Sequence, residues 1–198
     1  MDMSRDPLAL VPDEALVVLY ANGDREAARA LTSRLLPRIL GYAARILQDR
    51  AEAEDVAQEA MLRLWRVAPN WRPDEAKVTT WLYRVVVNLC TDRLRARQRR
   101  KLDALDDVAE PADSATSVVT AMIDVERQLA LETALATLPD RQRQAVVLRH
   151  IEGLTNPEIA DIMAIGVEAV ESLTARGKRT LTQILSGQKA ALGYEGVE

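Results

Sequence analysis

The sequence predicts an all-α protein: two small helical domains, a helical bundle and a helix-turn-helix, joined by a flexible acidic linker. Three observations carry this. Apolar residues recur at three- and four-residue spacing along most of the chain, and no run alternates as a half-buried strand would. The charge switches abruptly. "RLRARQRRK" holds Arg93, Arg95, Arg97, Arg99, Arg100 and Lys101 with no acid, and the stretch after it holds Asp103, Asp106, Asp107, Glu110 and Asp113 with no base. Lastly, "LTNPEIADIMAIGVEAVESLTARGKRTL" reads as two short helices around a tight break.

From Asp13 to Leu47 the pattern suits two helices, with Ala15, Leu16, Leu19 and Tyr20 inward on the first and Leu31, Leu35, Ile39, Tyr42, Ala43 and Ile46 on the second. "NGD" at Asn22–Asp24 separates them, with Asp24 as the cap of the second. In "DRAEAEDVAQEAMLRLW", Val56, Ala60 and Leu64 form a stripe beside Met61 and Trp65. Glu54, Asp55, Gln58, Glu59 and Arg63 then face outward. Two prolines in "APNWRPDEAKVTT" break the pattern, and a fourth helix runs from about Thr80 to Arg97. The acidic stretch to about Thr120 contains Pro111 and lacks an apolar period, so it reads as a linker.

A second domain begins near Ile123, with Leu129, Leu131, Leu135 and Leu138 inward. Pro139 is placed in the first turn of the next helix, whose core residues are Ala145, Val146, Leu148 and Ile151. Thr155 and Glu158 then make a capping box with Pro157 between them. Ile159, Ala160, Ile162 and Met163 face inward. "AIG" makes the break, and Val167, Val170, Leu173 and Leu181 anchor the last helix. Its outer side holds Glu168, Glu171, Ser172, Ala175, Arg176, Lys178 and Arg179, and Gly177 admits a close backbone or phosphate. A short helix, a tight turn and a polar second helix form the pattern that fits a major groove. A plain bundle corner is the other reading of the same pattern.

Composition narrows the function. No run of eighteen or more apolar residues is present, so no membrane span is expected. "MDMSRDPLALVPDEAL" lacks the basic start and apolar run of a signal peptide, which makes a cytoplasmic protein the expectation. One cysteine, Cys90, and one histidine, His150, leave no internal disulfide and no multi-cysteine or histidine-rich metal site, and no cofactor is expected. The net charge of -4 argues against nucleic acid, yet the local field of the arginine run matters more to a polyanion than the total does. Charge alone leaves a solvated helix end as an equal alternative.

Four segments in order resemble one family: "DRAEAEDVAQEAMLRLW", "TTWLYRVVVNLCTDRLRARQRR", "LATLPDRQRQAVVLRHIEGLTNPEIADIM" and "GVEAVESLTARGKRTL". They look like successive signatures of the extracytoplasmic-function (ECF) subfamily of the sigma-70 family of bacterial RNA polymerase sigma factors. The resemblance implies that residues 12–100 form sigma domain 2, which binds the polymerase clamp and opens the minus-ten element. Residues 101–121 would be the linker. Residues 122–186 would form sigma domain 4, which binds the polymerase flap and reads the minus-thirty-five element as duplex. Such a protein is not an enzyme. It directs promoter-specific initiation, in a stress or envelope response, and is held inactive by an anti-sigma factor.

By the same resemblance, Asp55, Gln58 and Glu59 are the clamp-binding surface, and Asn88 matches the asparagine of the family's base pocket. An amide can both donate to and accept from a flipped base edge, although Asn88 could equally be a polar residue at a helix edge. The loop "WRPDEAKVTT" matches the loop that holds that base. Trp71, Arg72 and Lys77 would supply stacking and phosphate contacts, with a core role for Trp71 left open, while Trp81 continues the core stripe. Arg84, Arg93, Arg95 and Arg97 would hold phosphates near the melted strand. In the second domain Glu168, Ala169, Glu171, Ser172, Ala175, Arg176, Lys178 and Arg179 would face the minus-thirty-five element. Here the chain departs from the pattern. Many members have a basic residue in place of Glu171, an arginine in place of Leu173 and a bulky residue in place of Ala175. A carboxylate at Glu171 accepts from a cytosine amine but repels phosphate, so the promoter sequence is left open.

Three rival readings compete. A sigma-like protein that only sequesters an anti-sigma factor draws support from Glu171, and Asn88 and the arginine run oppose it. A two-component-type regulator requires an alternating strand–helix first half, which is missing. An enzyme would need its candidate groups together, but Cys90 and His150 fall in different predicted domains.

Overall fold

Capping residues punctuate the first domain where the sequence places them. In the computed structural model, which describes residues 8–72, 77–103 and 121–187, every regular element among those residues is helical. Helix α1 (Asp13–Ala21) ends in a turn where Gly23 takes φ +94°, a conformation that costs glycine little. The Asp24 carboxylate then accepts from the N–H groups of Glu26 (2.9 Å) and Ala27 (3.2 Å) and starts α2 (Arg25–Leu47). Gln48 turns left-handed, and Asp49 caps α3 (Arg50–Val67) by accepting from Glu52 N at 3.0 Å. A short 3-10 turn, Ala68–Asn70, leads out of the domain's middle. Helix α4 (Val78–Asp103) receives its cap from a distance, because the Glu14 carboxylate of α1 accepts from Val78 N at 3.1 Å. A carboxylate there also complements the helix dipole.

These helices close over one apolar centre. Leu16, Leu31, Ile39, Tyr42, Ile46, Val56, Leu64 and Leu82 are essentially inaccessible. Truncating a buried leucine such as Leu64 to alanine would cost about 2–5 kcal/mol. The rings of Tyr42 and Tyr83 meet edge to face at 5.8 Å. Leu16 is buried and Tyr20 packs against the core as expected, but Leu19, expected inside, is 36% exposed and Val17 takes its place beside Leu16. Helix α4 also runs beyond the expected Thr80–Arg97 at both ends, which suits the good helix propensity of arginine and lysine.

The second domain consists of α5 (Ala121–Ala136), α6 (Asp140–Val146), α7 (Asn156–Met163) and α8 (Val167–Ser186). Pro139 is the residue before α6 rather than part of its first turn. Helix α6 continues as a π-helical turn, Val147–Ile151, that rotates the following side chains. Ile151 is thereby half-exposed rather than core, and Leu129 and Val167 also lie outside the core to which the spacing assigns them. The capping box on α7 is complete: Glu158 N reaches Thr155 Oγ1, and Thr155 N donates to Glu158 Oε2 at 2.9 Å. The break before α8 is made by Ala164 in the left-handed region at φ 52°. Most of the acidic linker, residues 104–120, lies outside the described residues, as do positions 73–76 of the loop before α4. Among the described residues no helix is long and apolar enough to cross a membrane.

Candidate nucleic-acid and protein interfaces

Spacing decides what α4 presents. Leu82, Tyr83, Val86, Val87 and Cys90 are buried, which leaves Arg84, Asn88, Asp92, Arg95 and Gln98 on the opposite side. Asn88 is exposed and lines a cleft of about 850 Å³ together with Arg95, Gln98, Thr91 and, from the second domain, Gln144 and Met163. Arg95 is largely solvent-exposed, with Asp92 at 4.0 Å. The six basic residues from Arg93 to Lys101 do not act as a block. Arg97 turns back into its own domain, donating to Leu47 O at 2.7 Å and pairing with Asp49 (3.2 Å) and Glu52 (3.0 Å). Its guanidinium ties α4 to the α2–α3 corner and leaves Arg97 out of the set that faces outward. Arg93 is half-buried and helps hold the Glu59 carboxylate below its ordinary value, after the larger effect of the Arg63 hydrogen bond.

Before α4, Trp71 is half-buried with its ring edge-on to Trp81 at 6.0 Å, so both indoles serve the rim of the core. Trp71 Nε1 is buried without a hydrogen-bond partner among the described residues. Arg72 and Lys77 are exposed, and Lys77 Nζ lies 2.8 Å from Glu158 of the second domain.

On α3, Asp55 and Gln58 are exposed and Glu59 is half-exposed, tied to Arg63 at 2.8 Å. Beside them lies an apolar groove of about 440 Å³, which the sequence reading missed. Leu36, Leu40, Met61, Leu62 and Trp65 line it, and Gln58 stands at its edge. Its only signal in the sequence is Leu62, an apolar residue on the polar side of the stripe, which is 43% exposed. An apolar floor with a polar rim is the ordinary anatomy of a protein interface.

On α8, Val170, Thr174 and Gly177 are buried, and Glu168, Ala169, Glu171, Ser172, Ala175, Arg176, Lys178 and Arg179 are all exposed on the other side. Gly177 serves packing, not a phosphate: a Cβ there would stand 2.5 Å from Val146 Cγ2 of α6. Asn156 Nδ2 donates to Glu171 Oε1 at 3.4 Å, a long contact that aims the carboxylate along the outer face. Arg176 Nη2 donates to Ser172 Oγ at 2.6 Å. Burial pushes the Cys90 thiol up to about 12, while His150 is kept below its ordinary value by burial, then by Lys178 and Arg149.

Residues 31–100 match the family model for Sigma-70 region 2, and residues 128–181 match that for Sigma-70, region 4. The chain is 34% identical over 182 residues to the RNA polymerase sigma-H factor of Pseudomonas aeruginosa, an alignment covering 87% of this chain and 93% of that one. It is 34% identical over 173 residues to the ECF RNA polymerase sigma factor SigM of Mycobacterium tuberculosis, covering 87% and 84%. Among solved structures it is similar to CnrH in complex with the cytosolic domain of CnrY, with a TM-score of 0.64 and 22% identity over 88% of this chain and 97% of that one. It is also similar to the sigma factor RpoE in complex with the anti-sigma factor NepR from Bartonella quintana, with a TM-score of 0.64 and 19% identity over 78% and 94%. At such identities the structural likeness speaks for the fold alone.

Proposed function

Because this chain belongs to the ECF subfamily of sigma-70 RNA polymerase sigma factors, we propose that its two domains divide promoter-specific initiation between the faces of α3, α4 and α8. The protein binds core polymerase and directs it to promoters, lending specificity to a catalyst without being one. It works in the compartment of that polymerase, the cytoplasm. Residues 12–100 act as domain 2 and residues 122–186 as domain 4, which meets the polymerase flap and the minus-thirty-five duplex. Domain 2 docks on the polymerase clamp with the groove floored by Leu36, Leu40 and Leu62 and rimmed by Asp55, Gln58 and Glu59. An anti-sigma factor is the further partner.

The observation that carries the reading is the outward row on α4. Arg84, Asn88 and Arg95 follow one another along the exposed side of a helix whose other side is core. Asn88 supplies both a donor and an acceptor for an extruded base, and the arginines with Lys77 and Arg72 hold phosphates around it. The exposed row of α8 does the corresponding work on duplex DNA. Run-off transcription with core polymerase over a library of promoter sequences tests the reading and returns the preferred motif. Transcripts confined to a subset of promoters are expected. Core binding without any transcript would favour the sequestration role instead.

A further inference from the structure

Asn156 fits its place in the fold poorly. It is the first residue of α7, yet the cap of that helix is Thr155, and the capping box closes on Glu158. Asparagine is also among the weaker helix formers. The oxygen of its amide, Oδ1, is buried and accepts from no group among the described residues. A buried acceptor left unpaired costs stability, and an alanine at this position would leave none. The stability of α7 therefore gives no reason for an asparagine here.

The other end of the amide does have a partner. Asn156 Nδ2 lies 3.4 Å from Glu171 Oε1, fifteen residues on and one helix away. Glu171 is exposed, on the row of α8 assigned above to the minus-thirty-five duplex. Arg176 of the same row is steadied from within its own helix, by Ser172 at 2.6 Å. Glu171 is steadied from α7 instead. Reversing the amide would set oxygen against carboxylate, so only the donor can face Glu171. Glu168, one turn earlier on the row, repels the same carboxylate. Without the amide, Glu171 would swing among its many rotamers and away from Glu168.

We infer that Asn156 is a positioning residue for promoter specificity: it holds the Glu171 carboxylate out as a fixed acceptor for one amine-bearing base of the minus-thirty-five element. The inference rests on the proposal that α8 reads that element as duplex. In the major groove cytosine offers an N4 amine, whereas adenine sets an N7 acceptor beside its N6 amine. An ionised carboxylate only accepts, so adenine N7 repels it and cytosine is the favoured base. A carboxylate that is already aimed also loses less side-chain freedom on binding. At 3.4 Å the tie is long beside the usual charge-assisted distance of about 2.7–2.9 Å, so its effect on discrimination is moderate.

Selection by the full chain with core polymerase, from a randomised minus-thirty-five library, tests this. The wild type should favour cytosine at one position, and E171A should lose that preference. N156A should lower it about two- to tenfold, the scale of one hydrogen bond, and leave the other positions as they are. N156D sets a carboxylate against Glu171 and should lower it further. The same change puts an acid in the first turn of α7, where the helix dipole favours it, so the melting temperature should not fall. A purely structural role does not give lost preference at full stability. In the E171A background N156A should change nothing at that position. An unaltered preference in N156A would overturn the inference. So would an equal effect with and without Glu171, which means that Asn156 meets DNA by itself, or a uniform loss on every promoter. A preference that E171A leaves intact overturns it too, while α8 keeps its role. A wild type with no preference anywhere in the element is a separate failure: it removes α8 from the duplex, and the inference goes with it.

Discussion

The two faces proposed to meet promoter DNA have different neighbours. The second domain borders the α4 face and engages Lys77, Arg84 and Thr91 across the boundary, while Asn88 and Arg95 stay exposed. The α8 face is open along its length from Glu168 to Arg179. Both faces use the same construction, an apolar stripe that fixes the helix and a polar row that it leaves outside. They differ in what the other domain offers them. Helix α7 sets the Glu158 carboxylate against Lys77 and the Asp161 carbonyl against Arg84, whereas the side-chain contacts of the α8 row, Asn156 with Glu171 and Arg176 with Ser172, stay within the second domain.

The largest effect should come from the α4 face. Asn88→Ala removes an amide from the proposed base pocket and leaves the helix intact, since Asn88 is exposed and outside the core. Losing two hydrogen bonds to a desolvated base edge costs about 1–3 kcal/mol, or roughly 5- to 150-fold in open-complex formation. Abortive initiation measures it, while core binding and melting temperature stay unchanged. An equal rate would break the comparison by removing Asn88 from the site.

On the open face the expected effect is a change of preference. Glu171→Arg replaces an acceptor held by Asn156 with a bidentate donor, so the favoured base should move from one presenting an amine toward guanine. Discrimination at that pair should be about 1–3 kcal/mol, read by selection from a randomised minus-thirty-five library. The same preferred sequence in both proteins would show that Glu171 does not read bases. By contrast, Lys178→Ala should weaken all promoters alike and reduce the salt slope by about 0.9 unit if Lys178 neutralises one phosphate.

A smaller, structural effect tests why α8 is held in place at all. Gly177→Ala sets a methyl 2.5 Å from Val146 Cγ2, so α6 and α8 must part. Overpacking costs about 1–3 kcal/mol, and the gain in helix propensity returns up to about 1 kcal/mol. Thermal melting should show a net loss that Val146→Ala relieves in the double variant. No relief would mean the contact is not the cause.

These residues also show what the sequence could and could not reveal. Local rules were legible: Asp24 and Thr155 cap because a short side-chain oxygen faces orphan N–H groups two or three residues on. Helix faces were legible where several apolar residues repeat, as in α3. They blurred at Leu19, in a short helix, and at Val167, the first residue of α8, where one turn cannot fix the phase. Ile151 was lost to the π-helical turn, which changes the period itself. Gly177 looked like room for a phosphate because a sequence does not say which partner fills the space. Arg97 looked like its neighbours, and only the fold brings Leu47, Asp49 and Glu52 to it. The contact between the two domains was illegible for the same reason. Tyr83 and Glu152, or Lys77 and Glu158, are far apart in the chain and share no local pattern.

The smallest effect, and the one that separates the Lys77–Glu158 pair from the capping box, is the response to acid. Glu158 is held down to about 2, first by the Lys77 hydrogen bond and then by the Thr155 backbone and hydroxyl. Lys77 is raised in turn by the same carboxylate, with a smaller contribution from Glu14. A carboxyl whose folded value lies below its ordinary one near 4.5 stabilises the fold above that ordinary value. The contribution fades as pH falls from about 4.5 to about 2. The melting temperature of the wild type should therefore exceed that of E158Q near neutrality, and the two should converge across that window. Solvent screening at this partly open site keeps the difference small. K77Q retains the capping box, so it should lose only the part of the pH dependence that belongs to the Lys77–Glu158 pair. If K77Q follows the wild type through the whole window, the box alone holds Glu158 down and Lys77 contributes nothing to the contact between the domains.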